Sequence, residues 1–296
     1  MPSISPSDSP LLVRKQIPNE INLIGIIGFP IKHSQSPQFH NNAFESLKLP
    51  FKYFAFEANP ENFERVISEL RTARFKGFNV TIPFKIRILS YLDKVTDDAK
   101  LIGAVNTVVY ENGIWIGHNT DVYGVSCALE PIANRLKNSS AVILGAGGGA
   151  RAVMASLIQE FHLSHITIIS RSIQKGIELK NNFSQVNQDC IIGVIEWNEE
   201  NITKAIQSSM LIVNSTPLGM SPNVDSSPLP LDFCFKSSQI TFDLVYNPLE
   251  TTFLKTAKLS GATAISGEEM FLNQAAKAFE LWTGKKMIRN ESRILS

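Results

Sequence analysis

From Ile21 onward, short apolar runs alternate with stretches whose apolar positions recur every three to four residues. NLIGIIG (22–28), FKYFAFE (51–57) and GFNVTI (77–82) are predicted as strands. Between them, Ser36-Pro37 reads as a helix start, with Ser36 as N-cap and Pro37 in the first turn. Asn59-Pro60 opens a second helix, in which Phe63, Val66, Ile67 and Leu70 share one face. NTVVYENGIWIG (106–117) reads as a hairpin turning at Asn112-Gly113. A second alternation begins near Ser140, with strands AVILG, HITIIS (165–170), MLIVNST (210–216) and ITFDLVY (240–246). A polar helix follows Ser172, and a last helix runs from about Glu268 to Trp282. Strands alternating with helices imply parallel sheets, and two such series imply two α/β domains. Residues 1–20 open with clustered Ser and Pro and read as a mobile tail, and 221–230 as a surface loop.

The chain has 296 residues, 44% hydrophobic and 19% charged, which suits two ordinary globular domains. With 28 basic and 27 acidic residues the net charge is +1, so neither nucleic acid nor an anionic membrane is an expected partner. The apolar runs reach only about ten residues, half of what a membrane span needs. No secretory h-region is visible at the start. Three scattered cysteines and five unpatterned histidines predict neither a disulfide framework nor a metal site, and they favour a reducing, cytoplasmic setting.

The sharpest motif is Gly145-Ala146-Gly147-Gly148-Gly149-Ala150, placed directly after a strand and opening a helix. Such a loop turns tightly and admits a pyrophosphate to the unpaired N–H groups of the helix start. The next strand ends at Ser170-Arg171-Ser172, with Lys175 one turn on. An NAD site would carry an acid there for the ribose 2′-hydroxyl, whereas these cations suit a 2′-phosphate, so NADP is the expected cofactor.

The first domain holds weaker signals. Ser34 and Ser36 put two hydroxyls at a helix mouth, either as an anion site or as simple capping. Lys85 follows a strand through Pro83, where α/β proteins place ligands, but surface lysines are common. Asp121 starts a helix and can be its cap, and His118 reads as a turn residue. In the last helix, Phe271, Ala275, Ala278, Phe279 and Trp282 form an apolar stripe, with Gln274 on its edge as a core amide or a ligand-facing one.

Taken in order, HSQSP, NVTIPFK, GAVNT, GHNTD, GAGGGA, NSTPLG, DLVYNP and GEEMFLNQAAKAF span nearly all of 25–285 and strongly resemble the shikimate dehydrogenase family. The resemblance implies NADP-dependent reduction of 3-dehydroshikimate to shikimate. It implies a substrate-binding domain over 21–121, a Rossmann-type NADP-binding domain over 122–266, and a C-terminal helix, 267–296, returning to the first. By the same resemblance Lys85 and Asp121 match the catalytic pair. Ser34, Ser36, Thr81, Asn106, Asp121, Tyr246 and Gln274 match substrate positions. Gly145, Ala146, Gly147, Gly148 and Gly149 match the pyrophosphate loop, Ser170, Arg171, Ser172 and Lys175 the 2′-phosphate segment, and Asp97, Leu244 and Gly267 further cofactor-side positions. Two departures stand out: Ser170 where the family often has Asn, and an acidic Glu268-Glu269 after Gly267. The implied partners are a small-molecule substrate and, at most, a second copy of the chain. Rival readings are a quinate dehydrogenase, a methylenetetrahydrofolate dehydrogenase and a non-catalytic NADP-binding sensor.

Overall fold

The computed structural model describes residues 8–184, 186 and 189–287. Two compact units divide them: the residues up to Thr120 with those from Ala275 onward, and Asp121–Gln274. The expected boundary at 121/122 thus falls one residue earlier. The last helix is shared: 268–274 cluster with the second unit, and the first unit takes over from Ala275.

In the first unit a six-stranded sheet is built from β1 (Asn22–Gly28), β2 (Phe51–Glu57), β3 (Gly77–Val80), β4 (Lys94–Val95), β5 (Thr107–Glu111) and β6 (Ile114–His118), in the order β2-β1-β3-β5-β6-β4. β1 pairs in parallel with β2 and β3, but β3–β5 and β5–β6 are antiparallel. The sheet is therefore mixed rather than parallel, because the Asn112-Gly113 hairpin reverses the chain with both turn residues at positive φ. Third-strand pairing stops at Val80, before the Ile82–Pro83 bond, since proline has no N–H for the ladder. His118 is the last residue of β6, not a turn residue.

The helices here are α1 (Pro10–Gln16), α2 (Ser36–Ser46), α3 (Phe63–Thr72) and α4 (Asp97–Ile102). α1 corrects the mobile-tail expectation for the residues it covers. Ser9 Oγ accepts from Leu12 N–H, Pro10 sits in the first turn, and Val13 is fully buried in the core. Residues 1–7 lie outside the described ones. α3 buries Phe63, Val66, Ile67 and Leu70, the predicted face. It starts at Phe63, and Asn59 Oδ1 instead holds the N–H groups of Glu61 and Asn62 in the preceding turn.

The second unit holds α5 (Asp121–Leu129), α6 (Ala133–Leu136), β7 (Ser140–Leu144), α7 (Gly148–Gln159), β8 (His165–Ser170), α8 (Ile173–Phe183), β9 (Ile191–Glu196), α9 (Glu199–Gln207), β10 (Leu211–Asn214), β11 (Ile240–Asp243), α10 (Thr252–Leu259), β12 (Thr263–Ile265) and the start of α11 (Glu268–Thr283). Its sheet is parallel throughout, ordered β12-β11-β10-β7-β8-β9. Counted from β7 this is 6-5-4-1-2-3, the doubly wound order with its switch point between β7 and β10. Every residue of β10 and β11, and all of β7 but its first, is buried, as the β-branched runs predict for strands covered on both faces.

Candidate functional site

Glycine geometry shapes the crevice at the switch point. β7 ends at Leu144, and Gly145 turns at φ +109°. A Cβ there would lie 2.8 Å from Ser215 Oγ, whose hydroxyl donates to Leu144 O at 2.7 Å across the β7–β10 gap. Gly147 caps α7 with no side-chain hydrogen bond, and open space surrounds the place its Cβ would take. The first turn of α7 carries no acid. A helix start left open, with bare N–H groups, is an anion seat. A Cβ on Gly149 would meet Leu244 Cδ2 at 2.9 Å, and one on Gly267 would meet Leu244 O at 2.6 Å. Gly149, Leu244 and Gly267, far apart in the chain, thus meet at one point.

The segment after β8 sits beside this turn, since Gly145 N–H donates to Ile169 O. Ser170 is buried and its Oγ accepts from Ser172 N–H, while Ser172 caps α8 through Lys175 N–H. Arg171 and Lys175 are exposed. This donor set fits a dinucleotide with a 2′-phosphate: a turn closed to a methyl group at Gly145 and Gly149, an uncapped helix start, and two cations just past the strand end.

Tyr246 stacks on Phe271 at 4.2 Å, and Gln274 Nε2 donates to Phe271 O. A Cβ on Gly124 would lie 3.1 Å from Gln274 Cβ, so α5 packs closely under Gln274. Asp121, buried, is the first residue of α5. Of the acidic pair, Glu269 is engaged by its own helix, with Asn273 Nδ2 reaching both its carbonyl and its carboxylate.

In the first unit the loops after β1 and β3 are stitched together: Phe29 N–H donates to Ile82 O and Thr81 N–H to Ile27 O. Thr81 therefore packs beside Gly28. Phe84 is buried and stacks on Phe63 at 4.2 Å, with the Arg87 guanidinium over the other ring at 4.9 Å. This anchor, worth about 2 kcal/mol of burial, fixes the next residue, Lys85, whose carbonyl accepts from Val105 N–H. Ser36 is the first residue of α2 rather than its cap; the cap residue, Gln35, makes no side-chain capping bond, and Ser34 Oγ accepts from Ser36 N–H at 3.3 Å. Simple capping by Ser36 is thereby removed as the explanation for the serine pair.

Asn106 is the hub of a buried polar chain. Its Oδ1 accepts from Thr120 N–H at 2.8 Å, and its Nδ2 donates to Thr120 Oγ1 at 2.9 Å. Through Thr107 the chain continues to Asn79 and on to Tyr53, whose hydroxyl donates to Asn79 Oδ1. Asn106 thereby fixes the residue before Asp121. Asp97 opens α4, exposed and paired with Lys100 at 3.3 Å. Burial, the largest influence, lowers the His118 pKa; the charge of Lys277 lowers it too, and that of Glu111 raises it.

Two further titratable groups are buried: His40, whose lack of any partner pattern makes it a structural residue, and Asp243, which is not among the expected site residues. His40 on α2 is fully buried against Tyr53 and Trp282, both ring nitrogens lack a hydrogen-bond partner, and burial pushes its pKa down to about 3. Asp243, at the end of β11, is fully buried, and burial raises its pKa to about 7 against three donors. In the sequence it ends the run ITF and opens the motif DLVYNP, but nothing local marks it as buried. No group of His, Cys, Asp and Glu among the described residues has a metal-binding arrangement, and no described helix is long and apolar enough to cross a membrane.

Strand order, glycine turn and open helix start define the class: a Rossmann-type unit joined to a second α/β unit. A family model for the shikimate dehydrogenase substrate binding domain matches residues 26–108, and one for the shikimate 5′-dehydrogenase C-terminal domain matches 267–287. The shikimate dehydrogenase (NADP(+)) of Methanococcus aeolicus is 41% identical over 271 residues, 91% of this chain and 95% of the relative. The Listeria monocytogenes shikimate 5-dehydrogenase structure, in complex with shikimate and NAD, is 34% identical with a TM-score of 0.81 over 95% of this chain and 98% of its own. The Thermus thermophilus enzyme, in complex with NADP(H) and shikimate, is 34% identical with a TM-score of 0.78 over 92% and 97%. The chain belongs to the shikimate dehydrogenase family.

Proposed function

We propose that this chain catalyses the reversible, NADPH-dependent reduction of 3-dehydroshikimate to shikimate, on the route to chorismate and the aromatic amino acids. The observation that carries the reading is the full-length likeness to a shikimate dehydrogenase (NADP(+)), at 41% identity. Lys85 and Asp121, which match the family's catalytic pair by resemblance, are both present in the chain. Bound NADPH supplies a hydride to the ring carbonyl carbon. The open start of α7 and Gly145–Gly149 hold its pyrophosphate, and Arg171 and Lys175 its 2′-phosphate. Leu244 and Gly267, with Asp97, serve the cofactor side.

Ser34 and Ser36 hold the substrate carboxylate, while Thr81, Asn106, Tyr246 and Gln274 take the ring hydroxyls and carboxylate. As the carbonyl oxygen gains charge, the Lys85 ammonium stabilises it and donates a proton from Nζ. Asp121 hydrogen-bonds the neighbouring hydroxyl and orients Lys85. The overall step consumes one NADPH and one proton for each carbonyl reduced. The reading also makes this a cytoplasmic enzyme of small molecules, alone or as a homodimer, with no nucleic-acid or membrane partner. Mixing the purified chain with NADPH and 3-dehydroshikimate tests it. NADPH absorbance should fall only when both the chain and the ketone are present; a folded chain that oxidises none refutes the proposal.

A further inference from the structure

Resting on the NADP reading above, we infer that the buried cluster Asn214, Asp243 and Thr251 is the positioning element for the nicotinamide half of the cofactor seat. Asp243 Oδ1 accepts from Asn214 Nδ2 at 2.9 Å and from Val245 N–H at 3.0 Å, and Oδ2 accepts from Thr251 Oγ1 at 2.6 Å. Asn214 in turn organises the loop after β10. Its Oδ1 accepts from Thr216 N–H and Oγ1, and its Nδ2 also reaches Leu218 O. One carboxylate thus ties the loops leaving two adjacent strands to the cap of α10.

Topology says which half of a dinucleotide these loops serve. In a doubly wound sheet the residues after the second strand, here Ser170–Lys175 after β8, meet the adenosine ribose. That assigns the adenosine half to the β7–β8 side of the switch point. The nicotinamide half then falls across the crevice, over the β10 and β11 ends. Leu244 is the contact this cluster fixes. It follows Asp243 directly, its N–H donates to Asn214 O at 3.0 Å, and its side chain abuts Gly149 while its carbonyl crowds Gly267. A buried carboxylate seldom improves stability over an apolar core. One met only by donors from separate loops is suited to fixing where those loops lie.

The test separates the two halves of the cofactor in the full-length chain. Dissociation constants are measured by calorimetry for NADP and for adenosine 2′,5′-bisphosphate, which carries the adenosine half alone. Thr251→Val keeps the volume and removes the hydroxyl; Thr251→Ser keeps the hydroxyl. Thr251→Val should weaken NADP about tenfold, the upper scale of losing one hydrogen bond, and leave the bisphosphate within about twofold. Thr251→Ser should bind both as the parent does. Asp243→Ala, where it folds, should follow Thr251→Val with a larger effect. Equal weakening of both ligands, or no change in a Thr251→Val chain that unfolds cooperatively, overturns the inference. A parent chain that binds neither ligand overturns both this inference and the cofactor reading beneath it.

Discussion

His40 and Asp243 are two buried titratable side chains whose burial pushes their pKa values in opposite directions. The native state keeps His40 neutral down to about pH 3, whereas an unfolded histidine takes its proton near pH 6.5. As pH falls through that window the unfolded chain gains a proton the native one resists, so stability is lost toward acid. Asp243 holds its proton up to about pH 7 in the native state, against about 4 when unfolded. Ionisation is therefore costlier in the fold, and this contribution to stability is lost as pH rises from about 4 to about 7. Either slope is at most about 1.4 kcal/mol per pH unit. His40→Phe retains an aromatic ring against Tyr53 and Trp282 and should shrink the fall in melting temperature between pH 7 and pH 4. Asp243→Asn should shrink the fall between pH 5 and pH 8. Thermal unfolding of parent and variants across pH decides both, and parallel curves would show that neither group carries the effect.

For whole elements, the glycine turn between β7 and α7 makes the strictest demand on residue type. Gly145→Ala must hold φ +109° and push against Ser215, which is itself tied to Leu144. The cost should be about 1–3 kcal/mol of stability, read by thermal melting, together with weaker NADP binding. At the start of α8, Arg171→Asp restores the acid that NAD sites use. It should reduce the ratio of kcat/KM for NADP over NAD by about tenfold or more, since a charge-assisted contact is lost and repulsion gained. Both features were legible in the sequence because backbone geometry and charge type act locally. So were β7, β8, β10 and β11, whose β-branched runs have few other uses. β4, β9, β12, α9 and α10 were not: β4 and β12 are only two and three residues long, and β9 leaves Ile191 exposed. α1 hid in a Ser- and Pro-rich stretch, although Ser9-Pro10 before an apolar pair was a readable start. Several residues of the buried polar clusters stood in the motifs, but their pairing was not legible: partners lie up to 29 residues apart, and no spacing rule joins Asn214 to Asp243 or Tyr53 to Asn79.

Across the molecule, Lys85 belongs to one compact unit, and Asp121 is the first residue of the other and of α5. Within the first unit, Asn106 holds Thr120, the residue before Asp121, through two hydrogen bonds. If Lys85 delivers the proton and stabilises the developing alkoxide, Lys85→Ala should lower kcat by about 10² or more, the scale of losing a positioned acid or an oxyanion donor. KM should move much less, because the lost interaction strengthens toward the transition state. NADP affinity should survive, since the glycine turn, Arg171 and Lys175 all belong to the other unit. Lys85→Arg should not restore the rate: the guanidinium keeps the charge but gives up its proton too reluctantly. Asp121→Asn should also be slow. If the two residues work as one device, the double variant should be far less impaired than the product of the singles. Steady-state kinetics on these four variants, with melting temperatures as the folding control, supply the answer. A Lys85→Ala enzyme with near-normal kcat would remove this lysine from the chemistry and leave Asp121 as the proton donor to examine.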